Sequence, residues 1–132
     1  MKSVLIIDDE EEVGHALRRV LERAGLAVQT ATGSSEGLTL FDQSPPDLVI
    51  TDIIMPKMHG IDLIRTLRAR QQRIRIIAIS GGGHFGPMHY QPEAITTSAY
   101  LAAATEAGAD AVLTKPFDKD DLLGAVRRLL GH

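Results

Sequence analysis

Chemically useful side chains stand directly after short apolar runs at four places in this chain. Asp8 and Asp9 follow Val4-Leu5-Ile6-Ile7, and Asp52 closes the run that starts at Leu48-Val49-Ile50. Ser80 ends the run from Ile74 to Ile79, and Lys115-Pro116 follow Ala111 to Thr114. Three carboxylates drawn together repel one another unless a cation compensates them. A donor set made only of oxygens, with no Cys or His in it, suits Mg²⁺ or Mn²⁺. A carboxylate can also act as a nucleophile and carry a phosphoryl group, provided metal, ammonium and hydroxyl donors neutralise the incoming oxygens. Asp52, Lys115 and Ser80 are the residue types that this chemistry needs. Taken singly, an acid after a strand is more often a helix cap or a solvated end. It is the joint occurrence after separate runs that points to one site.

The elements that must position these residues follow from hydrophobic periodicity. The apolar runs read as strands buried on both faces of a parallel sheet, with Leu26 to Thr30 as a further strand. From Glu11 to Ala24, Val13, Ala16, Leu17, Val20, Leu21 and Ala24 recur at three- and four-residue spacing, with Gly25 as the stop, which predicts an amphipathic helix. Ser34 or Ser35 can cap a helix to Gln43 with Leu38 and Phe41 inward, broken by Ser44-Pro45-Pro46. Ile61, Ile64 and Leu67 define a third helix, Ser98 to Ala107 a fourth ended by Gly108, and Asp118 caps a fifth with Leu122, Leu123, Val126 and Leu130 inward. Five βα repeats predict a doubly wound five-stranded parallel sheet with helices on both faces. Sites in such sheets form outside the carboxyl ends of the strands, which is where the polar residues fall.

Composition narrows the class. At 132 residues the chain predicts one domain, residues 1–132, and 44% hydrophobic with 23% charged residues is ordinary for a globular protein. A net charge of -3 gives no basic footprint, so direct nucleic-acid binding is not expected. The absence of cysteine excludes disulfides and thiolate metal sites. The start, MKSVLIIDDE, is too short an apolar run for a secretory signal or a membrane span, which gives the expectation of a cytoplasmic protein.

The strings VLIIDDE, PDLVITDIIMPKMHGIDL and GADAVLTKPF resemble the motifs of the receiver domain of two-component response regulators, and the likeness covers essentially the whole chain. The resemblance implies a flavodoxin-like (βα)5 fold with strand order 2-1-3-4-5. It implies that Asp8, Asp9, Asp52 and the backbone carbonyl of Ile54 hold Mg²⁺, and that Asp52 is phosphorylated. Ser80 and Lys115 would bind the phosphoryl group, Ser80 as the switch hydroxyl, and Lys115-Pro116 would be joined by a cis bond. The implied donor is a phosphohistidine on a sensor histidine kinase or a histidine phosphotransfer protein. The implied output is a conformational change, on the face of the fourth helix, fifth strand and fifth helix, that a downstream partner protein reads. Self-phosphotransfer and self-dephosphorylation would be the only catalysis. Because the sequence ends at His132 just after the last helix, a stand-alone, chemotaxis-regulator-like receiver is expected.

Two features depart from the family pattern. Val112 occupies the position, three before Lys115, where the family usually has Tyr or Phe. The segment from Gly81 to Thr97, with Gly81-Gly82-Gly83 and His84, Phe85, His89 and Tyr90, replaces a short turn by an extended loop. Other signals are weaker. GGGHFG lacks the Gly-Lys-Ser/Thr ending of a phosphate loop, and His59, His84 and His89 match no zinc spacing. Adjacent Asp8 and Asp9 do not make the Asp-x-Asp of haloacid dehalogenase-type phosphatases. Two other readings remain at this point: a phosphate-independent interaction module with the receiver fold, and a small Mg²⁺-dependent phosphatase.

Overall fold

The computed structural model describes residues 1–53, 60–80, 102–114 and 117–131. Ile54, Lys115, Pro116, and the expected loop from Gly81 to Thr97 lie outside the described residues, as does the start of the fourth predicted helix. The elements in chain order are β1 (Ser3–Ile7), α1 (Glu11–Arg23), β2 (Ala27–Ala31), α2 (Ser34–Gln43), β3 (Leu48–Asp52), α3 (Gly60–Arg70) and β4 (Arg75–Ser80). Helical residues 102–107 (α4), β5 (Ala111–Thr114) and α5 (Lys119–Leu130) follow.

The five strands form one parallel sheet in the order β2-β1-β3-β4-β5, as predicted. Alternation along each strand divides the core. Leu5, Ile7, Val49, Ile76 and Ala78 face a cluster with Phe41 of α2, Ile64 and Leu67 of α3, and Ala104 of α4. Val4, Ile6, Leu48, Ile50, Ile77 and Ile79 face Leu17 and Leu21 of α1 and Leu122, Ala125 and Val126 of α5. The near-continuous apolar strands are therefore explained by helices on both sides. Val112 is half-buried against the first cluster.

Boundaries differ by a residue where tertiary contacts outrank local pattern. Leu26, expected to open β2, is buried in the turn, where its N–H donates to Leu21 O at 3.2 Å, and pairing instead runs on to Ala31 opposite Ile7. Gly37 lets α2 lie close on β1: a Cβ there would stand 2.6 Å from Cδ1 of Ile7. At the amino edge of the sheet, Arg68 of α3 donates to Asp110 Oδ2 at 3.0 Å, to Gln72 O at 2.8 Å, and to the carbonyls of Ile74 and Gly108. Asp110 in turn exchanges backbone and side-chain bonds with Ile76, both at 2.8 Å, so one guanidinium ties α3, β4 and the turn into β5 together. Helix α5 starts with the predicted Asp118 cap, reinforced reciprocally by Asp121.

Candidate functional site

The sheet itself joins the two acids that are far apart in sequence. β1 pairs with β3 with Ile6 opposite Ile50 and Ile7 opposite Thr51, so continuing the register by one step sets Asp8 beside Asp52. Asp52 is the last residue of β3, paired with Ile79, and the next N–H, from Ile53, donates to Ile79 O at 2.9 Å. The Asp8 N–H is held by Ala31 O at 3.0 Å. Both main chains are thus fixed before the side chains begin. Asp8 is 2% exposed and Asp52 5% exposed, so bulk water cannot solvate their charges and other groups must do so.

A third carboxylate arrives from the start of α1. The Glu10 N–H donates to Asp8 Oδ1 at 2.8 Å, which turns the chain into the helix without a side-chain cap from Glu10 itself. Asp8, Glu10 and Asp52 each offer one carboxylate oxygen, all within 4.8 Å of one another. The N-terminus of α1, with Glu11 and Glu12 in its first turn, supplies a positive dipole end beside this acidic run. Asp9 is exposed and is not a member of the group. Among the described residues, then, Asp8 and Asp52 come together as the sequence led one to expect, and Glu10 joins them. Glu10 is not among the ligands expected from the sequence, because the adjacent Asp8 and Asp9 already supply the acids after β1. The available signal was the turn between the end of a strand and the first turn of a helix, which reverses the chain and can bring the second residue after Asp8 back over it.

Ser80 closes β4, its backbone paired with Thr114 of β5, at the same carboxyl edge as Asp52. Thr114 is the last described residue before the Lys115-Pro116 step. An all-oxygen group carrying three formal negative charges, two of its members buried, fits a hard divalent cation of the Mg²⁺ type and offers nothing to a soft metal.

A family model described as the response regulator receiver domain matches residues 4–127. Among curated proteins, the response regulator MprA of Mycobacterium sp. (strain KMS) is 32% identical over 127 residues, which is 96% of this chain and 50% of that protein. The chain thus spans about half the length of the curated relatives it matches. Among solved structures, a response regulator receiver domain protein from Clostridium thermocellum is 31% identical with a TM-score of 0.81, covering 99% of this chain and 95% of that one. The CheY-like receiver domain protein from Methanospirillum hungatei JF-1 is 27% identical with a TM-score of 0.82, covering 99% and 94%. The chemotaxis protein CheY4 of Vibrio cholerae is 26% identical with a TM-score of 0.75, covering 98% of each chain. With sheet order, acid pair and sequence match in agreement, the chain belongs to the response regulator receiver domain family of two-component signalling.

Proposed function

We infer that this domain accepts a phosphoryl group on Asp52 from a phosphohistidine and passes the signal on by a change of conformation. An oxygen of the Asp52 carboxylate attacks phosphorus, the O–P bond forms as the P–N bond breaks, and the imidazole leaves with its electron pair. A divalent cation held by Asp8, Asp52 and the Ile54 carbonyl, with Glu10 in the same carboxylate group and Asp9 reaching it from its exposed place beside Asp8, would offset charge on the transferring group. Lys115 and the Ser80 hydroxyl bind the remaining phosphoryl oxygens, and Ser80 reports their arrival to the face of α4, β5 and α5. The donor is a sensor histidine kinase or a histidine phosphotransfer protein, the reader is a downstream protein, and the setting is the cytoplasm. Among the described residues no helix is long and apolar enough to cross a membrane.

The observation that carries this reading is Asp52, buried at a strand end and grouped with two further carboxylates at the edge where ligands bind in doubly wound sheets. Its test is intact-mass measurement after incubation with Mg²⁺ and a small phosphodonor. Wild type should gain one phosphoryl group, and Asp52→Asn, nearly isosteric, should gain none while keeping its circular dichroism. Uptake by the Asp52→Asn protein would remove Asp52 from this role. No uptake by wild type, together with partner binding that ignores the donor, would favour a phosphate-independent module. Steady turnover of a generic phosphate ester would favour a phosphatase.

A further inference from the structure

Far from the acidic edge, the amino-edge end of the α1 and α5 pair carries a feature that phosphoryl transfer does not use. A depression of about 190 Å³ is lined by Ala24, Leu26, Leu123, Val126 and Arg127. Leu26 and Val126 form a buried floor, Leu123 is half-buried, and Ala24 and Arg127 are exposed. An apolar cavity of about 150 Å³ is enough to take a benzene ring, so this one has room for one aliphatic or aromatic side chain.

Its surroundings are cationic, although the whole chain carries -3. Arg127 is part of the lining, Arg128 and Arg23 are each one residue from it, and the Lys2 carbonyl accepts from Ala27, next to Leu26. All four side chains are exposed. The one acid in the neighbouring turn of α1, Glu22, is already engaged by Arg18 Nε at 3.0 Å. The C-terminal ends of α1 and α5 contribute about half a negative charge each, which together one of these cations offsets. A positive surplus is left around an apolar hole.

We propose that this basal α1–α5 depression is a docking site for an acidic protein segment that inserts one apolar side chain, flanked by Glu or Asp, between Leu26, Leu123 and Val126. The apolar anchor supplies burial, and the flanking acids meet Arg23, Arg127, Arg128 and Lys2. The charge pattern selects against basic partners, including the nucleic-acid-binding surfaces of other proteins. The site lies at the opposite end of the strands from Asp52, so a partner held here leaves the phosphoryl-accepting edge open.

The experiment is selection from a phage-displayed library of random dodecapeptides on the wild-type domain, followed by titration of the enriched peptides with amide spectra recorded on the domain. Acidic sequences with a single Leu, Ile, Phe or Trp should be enriched, and their binding should move the amides of Ala24, Leu26, Leu123 and Val126. The Arg127→Glu change should weaken them by roughly tenfold or more, and raising the salt concentration should weaken them further. Arg127 is exposed, so the variant should keep the fold although it places an acid at the C-terminal end of α5, which circular dichroism checks, and Arg23→Glu serves as a second. The proposal is overturned if no peptides are enriched, if those enriched are basic or neutral, or if they bind Arg127→Glu and Arg23→Glu as well as wild type. Uptake of phosphate at Asp52 is measured separately, so failure here and failure of the phosphoryl-acceptor reading are distinguishable.

Discussion

The N–H of Glu10 donates to Oδ1 of Asp8 at 2.8 Å, and this one bond reverses the chain between β1 and α1 so that a third carboxylate joins the pair already made by the sheet. Each position has a different cause: strand register for Asp8 and Asp52, a turn for Glu10.

Like charges this close cost stability that a cation returns. Removing one of them without changing its size, as in Glu10→Gln, should therefore raise the melting temperature of the metal-free protein and shrink the rise that Mg²⁺ produces. With Glu10 half-buried and partly screened, the gain should be about 1 kcal/mol, or about 4 °C. Asp9→Asn, at an exposed position outside the group, should move the metal-free melting temperature less. Thermal melts with and without Mg²⁺ decide the matter, and a Glu10→Gln protein that melts lower without metal while keeping the full Mg²⁺ response would refute the charge argument.

Arg68 joins three segments that are distant in sequence, and its side chain is only 25% exposed, so its bonds are poorly replaced by water. Arg68→Ala leaves the Gly108 carbonyl and the Asp110 carboxylate short of a donor and should cost about 2 kcal/mol in urea unfolding. Arg68→Lys should recover only a part, because an ammonium cannot reach several carbonyls and a carboxylate as a planar fork does. Full recovery by Lys would show that charge alone matters there.

At Gly37 the obstacle to a side chain is Ile7 itself, with Cδ1 at 2.6 Å and Cγ1 at 2.9 Å from a built Cβ. Ile7 is fully buried and cannot swing into solvent. Gly37→Ala should thus destabilise by about 1–3 kcal/mol despite the better helix propensity of Ala. Combined with Ile7→Val, which removes Cδ1, it should cost less than the sum of the two single changes, a non-additivity that a double-mutant cycle in urea reads directly. Strict additivity would mean that α2 shifts as a body to make room.

The parallel strands and the helices were legible in the sequence because buried parallel strands leave near-continuous apolar runs, and because Gly25, Pro45-Pro46 and Asp118 punctuate them with specific backbone preferences, whereas the strand order came only with the family resemblance. Asp8 and Asp52 were legible as strand ends for the same reason. Glu10 was not, since its place depends on a turn closed by a side chain of another residue. The Arg68 network was equally hidden: its partners are mainly backbone carbonyls, which every residue has, so no residue type announces them. Val112 shows the converse, a position notable in sequence that is half-buried against the core cluster of Phe41, Ile64, Leu67 and Ala104, as an ordinary apolar residue would be.

Gly124 offers the opposite case to Gly37. It lies in the interior of α5, is exposed, has no positive φ, and a Cβ built on it meets nothing within 4 Å. No turn, close approach or left-handed backbone asks for glycine here, and glycine in a helix interior is less favourable than alanine by about 1 kcal/mol. Part of that cost is the backbone entropy of the unfolded chain, which alanine lowers without any new contact in the folded state. Gly124→Ala should therefore stabilise the domain by about 1 kcal/mol, seen as a higher urea midpoint with an unchanged slope, because the surface exposed on unfolding barely changes. An unchanged or lower midpoint would mean that α5 does not keep ordinary helical geometry at this residue in solution, and a changed slope would mean that the substitution acts on the compactness of the unfolded chain instead.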